Sequence, residues 1–242
     1  MKNPWEDFSK QAGYILPNDK EIIEKYDEKV KKFGDVYKIR DEQLPGPYLG
    51  NPKEALVVIL SLNPGYNKDD TRLHKEEEFK ECLKKNLLHK EDIYPFYYLS
   101  PFCKEIQCGG YKYWYPRLKD IINEISRAKS RSEEEALRQV AQKVSVIEWL
   151  PYHSEHFYYL KDLEKLESHK YSVELAKEAL ENPQKLIIVQ RAYNLWKISL
   201  GLSSPPKNLI TKRGKQCRTW YLTKYNLGEG KFNLICDRLM AS

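Results

Sequence analysis

The sequence predicts an α/β fold, a three-layer α/β/α arrangement on a short, mostly parallel four-stranded sheet. Three observations lead there. Short unbroken apolar runs, such as Ala55-Leu56-Val57-Val58-Ile59-Leu60, have the pattern of strands buried on both faces. Stretches with helical periodicity and capping signals separate these runs, so strands and helices alternate along the chain. The core runs end in turns that carry polar and aromatic side chains, where ligands of open parallel sheets bind.

Taken in order, Asn18-Asp19-Lys20-Glu21 has capping-box spacing and predicts a helix to about Phe33, with Ile22, Ile23, Tyr26, Val30 and Phe33 on one stripe. Residues 1–43 read as an N-terminal helical extension of a single domain spanning 1–242. Residues 44–52 are rich in Pro and Gly and form a rigid approach to the first strand. That strand ends at Ser61-Leu62-Asn63-Pro64-Gly65-Tyr66. A polar amide, a proline that fixes φ, a glycine that opens space and an aromatic face suit a small pocket for something planar. A helix is expected from Asp69 or Asp70 to about Leu88. Residues 94–116, dense in aromatics, are expected to form a long loop over the pocket mouth, with Gly109-Gly110 giving it freedom to move before a helix over 116–127. Ser132-Glu133-Glu134-Glu135 is a second capping box, opening a helix to about Gln142. The second core strand is 144–150, ending in Pro151-Tyr152-His153-Ser154. Helices are expected over 156–167 and 172–181, a third strand over 185–190, a short helix around Leu195 and Trp196, a fourth strand over 208–211, and a closing helix through Phe232 and Leu239.

Composition narrows the function classes. With 41% hydrophobic and 31% charged residues the chain reads as globular, and no apolar stretch is long enough for a membrane span, so no membrane partner is expected. The N-terminus lacks the apolar segment of a signal peptide, and five scattered cysteines read as free thiols, which together suggest the cytoplasm. The net charge of +6 permits an anionic partner without requiring one. Eighteen tyrosines and five tryptophans, interleaved with basic residues, suit a surface that grips phosphates and stacks bases. The basic candidates for such contacts are Lys112, Lys212, Arg213, Lys215 and Arg218, although a run such as 212–218 also suits a solvated hairpin tip. Neither a Walker nor a dinucleotide glycine fingerprint occurs, and no Cys/His spacing suggests a metal site.

Leu62-Asn63-Pro64-Gly65 after a hydrophobic strand resembles the first motif of the uracil-DNA glycosylase superfamily, in its mismatch-specific branch. Trp149-Leu150-Pro151-Tyr152-His153-Ser154 resembles the strand end where that family reads the base. Residues 186–196 resemble a further strand with its following helix, and the order of elements is similar from about Leu44 onward. The resemblance implies a DNA glycosylase-like enzyme, a hydrolase of DNA repair that cleaves the N-glycosidic bond of a flipped, altered base without metal or organic cofactor. Nucleic acid, DNA in that family, is then the partner. Asn63 would position the water, Pro64, Gly65 and Tyr66 would lie against the base, Glu148 would read its edge, and His153 would act in acid-base chemistry or on phosphate.

Two features depart from the family. Its second motif contains a histidine after the last strand, whereas no histidine follows Ile210 here. Uracil-reading members carry an Asn near the position of Glu148, and an ionised carboxylate only accepts hydrogen bonds, which favours an amino-bearing base. Structural roles are open too: His153 as a hydrogen-bonded packing residue and Glu148 as a salt-bridged edge residue. Two other functions stay open: a nucleic-acid-binding protein that has lost catalysis, and a small-molecule nucleotide hydrolase or transferase.

Overall fold

Five strands form one sheet in the order β1-β3-β2-β4-β5. They are β1 (Tyr48–Leu49), β2 (Val57–Ser61), β3 (Val144–Glu148), β4 (Leu186–Val189) and β5 (Leu209–Ile210). The computed structural model describes residues 1–6, 8, 14–211 and 221–241. The pairs β3–β2, β2–β4 and β4–β5 are parallel, and these are the four strands expected from the apolar runs. A fifth strand, β1, pairs antiparallel with β3 (Tyr48 opposite Ile147) inside the segment read as a turn-rich approach. Two residues are too few to show periodicity, so nothing local announces it.

Every residue of β2, β3 and β4 is buried, because helices cover both faces of the sheet. On one face α5 (Glu133–Lys143) lies against β3 and α9 (Glu229–Met240) against β2, with α4 (Gly109–Lys129) packed on both helices. On the other, α6 (Glu167–Glu181) lies against β3 and β4, backed by α1 (Pro17–Val30). The chain passes from β2 to β3 on one side and then crosses to β4 on the other. The topological switch point therefore falls between β2 and β4, where open α/β sheets place their ligands.

The capping box at Ser132 forms as expected, with both reciprocal hydrogen bonds to Glu135. The one expected at Asn18 does not. The first helix starts at Pro17 without a side-chain cap, and Asp19 turns into the core. There its carboxylate accepts hydrogen bonds from the Tyr152 hydroxyl (2.7 Å) and the Glu167 N–H (2.6 Å), so it caps the distant helix α6. In place of the expected helix over 156–167 stands a 3-10 turn, Lys161–Lys165, and the helix after Asp70 is delayed to α2 (Glu77–Leu87).

The largest correction concerns 94–116. The segment is mostly helical: α3 (Pro101–Glu105) leads into α4, which starts at Gly109 and carries Pro116 inside it. Its N-cap is Cys108, whose sulfur accepts the Tyr111 N–H. Cysteine is not a usual capping signal, and Gly-Gly followed by aromatics is weakly helical, so the sequence reads as a loop. The two glycines supply space rather than motion. A Cβ on Gly109 would lie 2.1 Å from the Asp70 carboxylate, and one on Gly110 would lie 2.2 Å from the Tyr98 ring.

Candidate functional site

Beyond the carboxyl ends of β2, β3 and β4 lies a cavity of about 240 Å³, room for roughly eight waters. Asn63, Pro64, Gly65, Tyr66, Glu148 and His153 all line it, so both strand ends singled out in the sequence meet there. Parallel pairing continues past the strands: Gly65 bridges Ser154, and the Tyr66 N–H donates to the Ser154 carbonyl (3.1 Å). That pairing seats the Asn-Pro-Gly turn beside the 151–154 segment. Gly65 faces open space, and a side chain there would meet no atom within 4 Å.

Asn63 is buried. Its amide N–H groups donate to Ser154 Oγ (2.9 Å) and to the Pro64 carbonyl (3.1 Å). Among the described residues no donor reaches its Oδ1, which leaves an oriented acceptor at the cavity wall.

His153 is held differently from the acid-base role considered for it. Nδ1 lies 2.9 Å from the Gly65 carbonyl and Nε2 lies 2.9 Å from the Leu44 carbonyl. Each ring nitrogen is thus directed at backbone, and the imidazole braces the Asn-Pro-Gly turn against the approach to β1. Burial disfavours the charged ring and pulls its pKa below the ordinary value, against the upward pull of the two carbonyls. His74 stands edge-on to it, 5.3 Å between ring centres, and accepts the Leu44 N–H at Nδ1. Burial pulls the His74 pKa down to about 2, so that ring is neutral.

Glu148, the last residue of β3, forms part of the cavity floor and is 4% exposed. Burial pushes its pKa up to about 7, while a hydrogen bond with Ser61 and the charge of Arg191 pull the other way. Its Oε2 has no hydrogen-bond partner among the described residues. It is not the salt-bridged edge residue weighed above. Near neutrality it exists both as an acid, which donates and accepts, and as a carboxylate, which only accepts.

Tyr66 presents a half-buried ring with the Arg40 guanidinium 5.1 Å above it. The opposite wall is helical: Gly109, Gly110, Tyr113 and Trp114 of α4, with Tyr97 and Tyr98 before it. Tyr113 carries the Arg117 guanidinium 3.4 Å over its ring, and Arg117 also lies 5.2 Å from the Tyr221 ring. Lys112 does not line the cavity and borders a neighbouring groove. Lys212, Arg213, Lys215 and Arg218 fall outside the described residues.

Sequence reasoning missed Arg191 and Ser61, whereas it placed the aromatic segment 94–116 over the pocket mouth, although as a loop rather than as the turns and helix that carry Tyr97, Tyr98 and Tyr113. Arg191 directly follows β4 at the switch point, and the strand-end rule applied to that strand finds it.

Among the described residues no cluster of three or more His, Cys, Asp and Glu side chains is placed to hold a metal ion, and no helix is long and apolar enough to cross a membrane. Comparison with protein-family models, with characterised proteins and with solved structures finds no match to this chain.

Proposed function

We propose that this chain is a DNA glycosylase-like hydrolase that cleaves the N-glycosidic bond of a nucleotide whose base enters the cavity. The observation that carries this reading is the convergence of an oriented amide oxygen, a Pro-Gly-Tyr turn and a buried carboxyl on one cavity at the switch point. A base stacked in a duplex shields its glycosidic carbon, so the nucleotide must be extruded into such a space. Asn63 Oδ1 accepts a hydrogen bond from the attacking water and orients it. The bond to the sugar breaks with its electrons on the base, and the departing base needs a donor or a positive charge. The protonated form of Glu148 and the guanidinium of Arg191 meet that need in place of the histidine absent after Ile210.

The test uses duplexes and single strands bearing altered bases, incubated with the protein and then treated with alkali to break abasic sites. Asn63→Ala is expected to lower base release about a hundredfold, as loss of one oriented polar group does in other active sites. Affinity for the nucleic acid should change little, because phosphate contacts carry it. Release should also fall as pH rises through about 7, when Glu148 loses its proton. Absence of strand breaks with every base tried, together with salt-sensitive binding, would establish the alternative of a nucleic-acid-binding protein without catalysis, which the missing histidine favours.

A further inference from the structure

We propose that Cys103 and Cys108 form a reversible disulfide site at the start of helix α4, a modification site that takes a hydroperoxide as oxidant. The backbone brings the two cysteines together. Helix α3 ends in Gln107, a non-glycine residue at φ 52°. Around it the Cys108 N–H donates to the Cys103 carbonyl (3.4 Å) and the Gln107 N–H donates to the Lys104 carbonyl (3.3 Å). This pair of bonds is a Schellman motif, which commonly sets the side chains of its first and last residues in contact. Here both of those residues are cysteine. A disulfide spans Cα atoms roughly 4.4–6.8 Å apart, and residues joined by a backbone hydrogen bond fall in that span.

The two sulfurs are held differently. Cys108 caps α4, and its sulfur accepts the Tyr111 N–H (3.4 Å). It borders a groove of about 580 Å³ beside the cavity, together with Asp70, Phe102, Ile106 and Lys112. Cys103 is 1% exposed, so an oxidant entering by the groove meets Cys108 first. The Cys103 thiol pulls the Cys108 pKa below the ordinary thiol value. The Tyr111 and Gly110 N–H groups act in the same direction, against burial and the Asp70 charge. Cys103 is pushed up, by its neighbour Cys108 and by burial. Cys108 is therefore the nucleophile, and Cys103 is the thiol that resolves it. Burial raises the pKa of Cys82 and Cys236, the other cysteines among the described residues, so neither competes as a thiolate.

The Cys108 thiolate attacks one oxygen of the hydroperoxide. An S–O bond forms and the O–O bond breaks. The departing alkoxide or hydroxide takes up the proton that Cys108 released and leaves as alcohol or water, with Cys108 as a sulfenic acid. The Cys103 sulfur then attacks the Cys108 sulfur. The S–S bond forms as the S–O bond breaks, and the departing hydroxide takes the Cys103 proton as water. The two thiols lose two electrons in all, and an added dithiol returns them. The new bond ties α3 to the N-cap of α4, the helix whose Gly109 and Gly110 line the cavity. None of these steps uses Asn63 or Glu148, so the site stands whether or not the cavity hydrolyses a base.

The test treats the reduced full chain with hydrogen peroxide, alkylates the remaining thiols under denaturing conditions and maps the tryptic peptides. Trypsin cuts after Lys104 and Lys112, so Cys103 and Cys108 fall on separate peptides. Those two peptides should be recovered joined, with the intact mass lower by two hydrogens and the alkylatable thiols reduced by two from five. Dithiothreitol should restore all of them. Cys103→Ser should abolish the link and leave Cys108 as a sulfenic acid, which dimedone traps. Cys108→Ser puts a usual N-cap residue at the start of α4, so it should keep the fold and lose the link. Both peptides recovered unlinked and alkylated after oxidation overturns the proposal. A bond from Cys108 to Cys82, Cys217, Cys236 or a second copy of the chain also overturns it, as does dimedone on Cys82 instead of Cys108 in Cys103→Ser.

Discussion

The two ends of the cavity are built from the same strand ends, but their polar groups are treated in opposite ways. At the collar most hydrogen bonds close on the protein itself: His153 lies between the Leu44 and Gly65 carbonyls and as a neutral ring donates to one of them, the Asn63 amide N–H groups reach Ser154 and Pro64, and the Gly46 N–H meets the Pro151 carbonyl. At the floor, five residues before His153, Glu148 keeps an oxygen that nothing among the described residues satisfies. Saturated groups hold a shape, because moving them breaks bonds that water cannot replace in the interior. An unsaturated buried group raises the free energy of the empty protein and releases that cost when a ligand completes it. The comparison assigns rigidity to the collar and an unmet polar demand to the floor.

His153→Ala breaks the collar and should show the largest effect, a loss of about 4 kcal/mol, from the packing of a buried ring and a carbonyl left unpaired. Urea unfolding measures it. A variant of unchanged stability that had lost base release would instead return His153 to acid-base chemistry. Glu148→Gln probes the floor and should act in the opposite direction. The folded-state pKa of about 7 lies above the ordinary 4.5, so between these values the folded protein holds a proton that the unfolded chain has released. That stability is fully present below about pH 4.5 and is lost as pH rises to about 7, leaving a deficit of about 3 kcal/mol above it, from 2.5 units at 1.36 kcal/mol each. Glu148→Gln should therefore match the parent at about pH 4 and exceed it by about 3 kcal/mol at about pH 8. A pH-independent difference would show that the carboxyl is already satisfied. The smallest effect on stability is expected of Arg191→Gln, which should also lower base release because it removes a charge proposed to stabilise the departing base. Removing that charge pushes the Glu148 pKa further up, so the fall in base release with pH should move to higher pH with little change in melting temperature. A move to lower pH would contradict the geometry.

What was readable in advance, and what was not, divides along the same line. The apolar runs at 55–60, 144–147 and 186–189 could only be strands covered on both faces, because no single polar face exists for them to turn to water. The Ser132–Glu135 box needed only neighbours three residues apart, and it formed as written. Asn63, Glu148 and His153 were visible as polar residues at strand ends, and parallel strands bring their like ends to one edge. Asn18–Glu21 had the spacing of a cap and lost it, because Asp19 found the N–H groups of Glu167 and Ser168 across the core. The Gly109–Tyr115 stretch read as a loop because its helix depends on a cysteine cap and on Asp70, a residue 39 positions earlier.

The sequence by itself determined the α/β class, the strand cores and the edge of the sheet where polar side chains gather, since these follow from local periodicity and the burial it demands. Tertiary structure decided what those side chains do. The bond between Asn63 and Ser154 joins residues 91 apart, and that between Leu44 and His153 joins residues 109 apart. Partners so distant meet only when the layers pack. The desolvation that lifts the Glu148 carboxyl toward neutrality arises from that same packing, since only the assembled layers exclude the water that would otherwise solvate its charge.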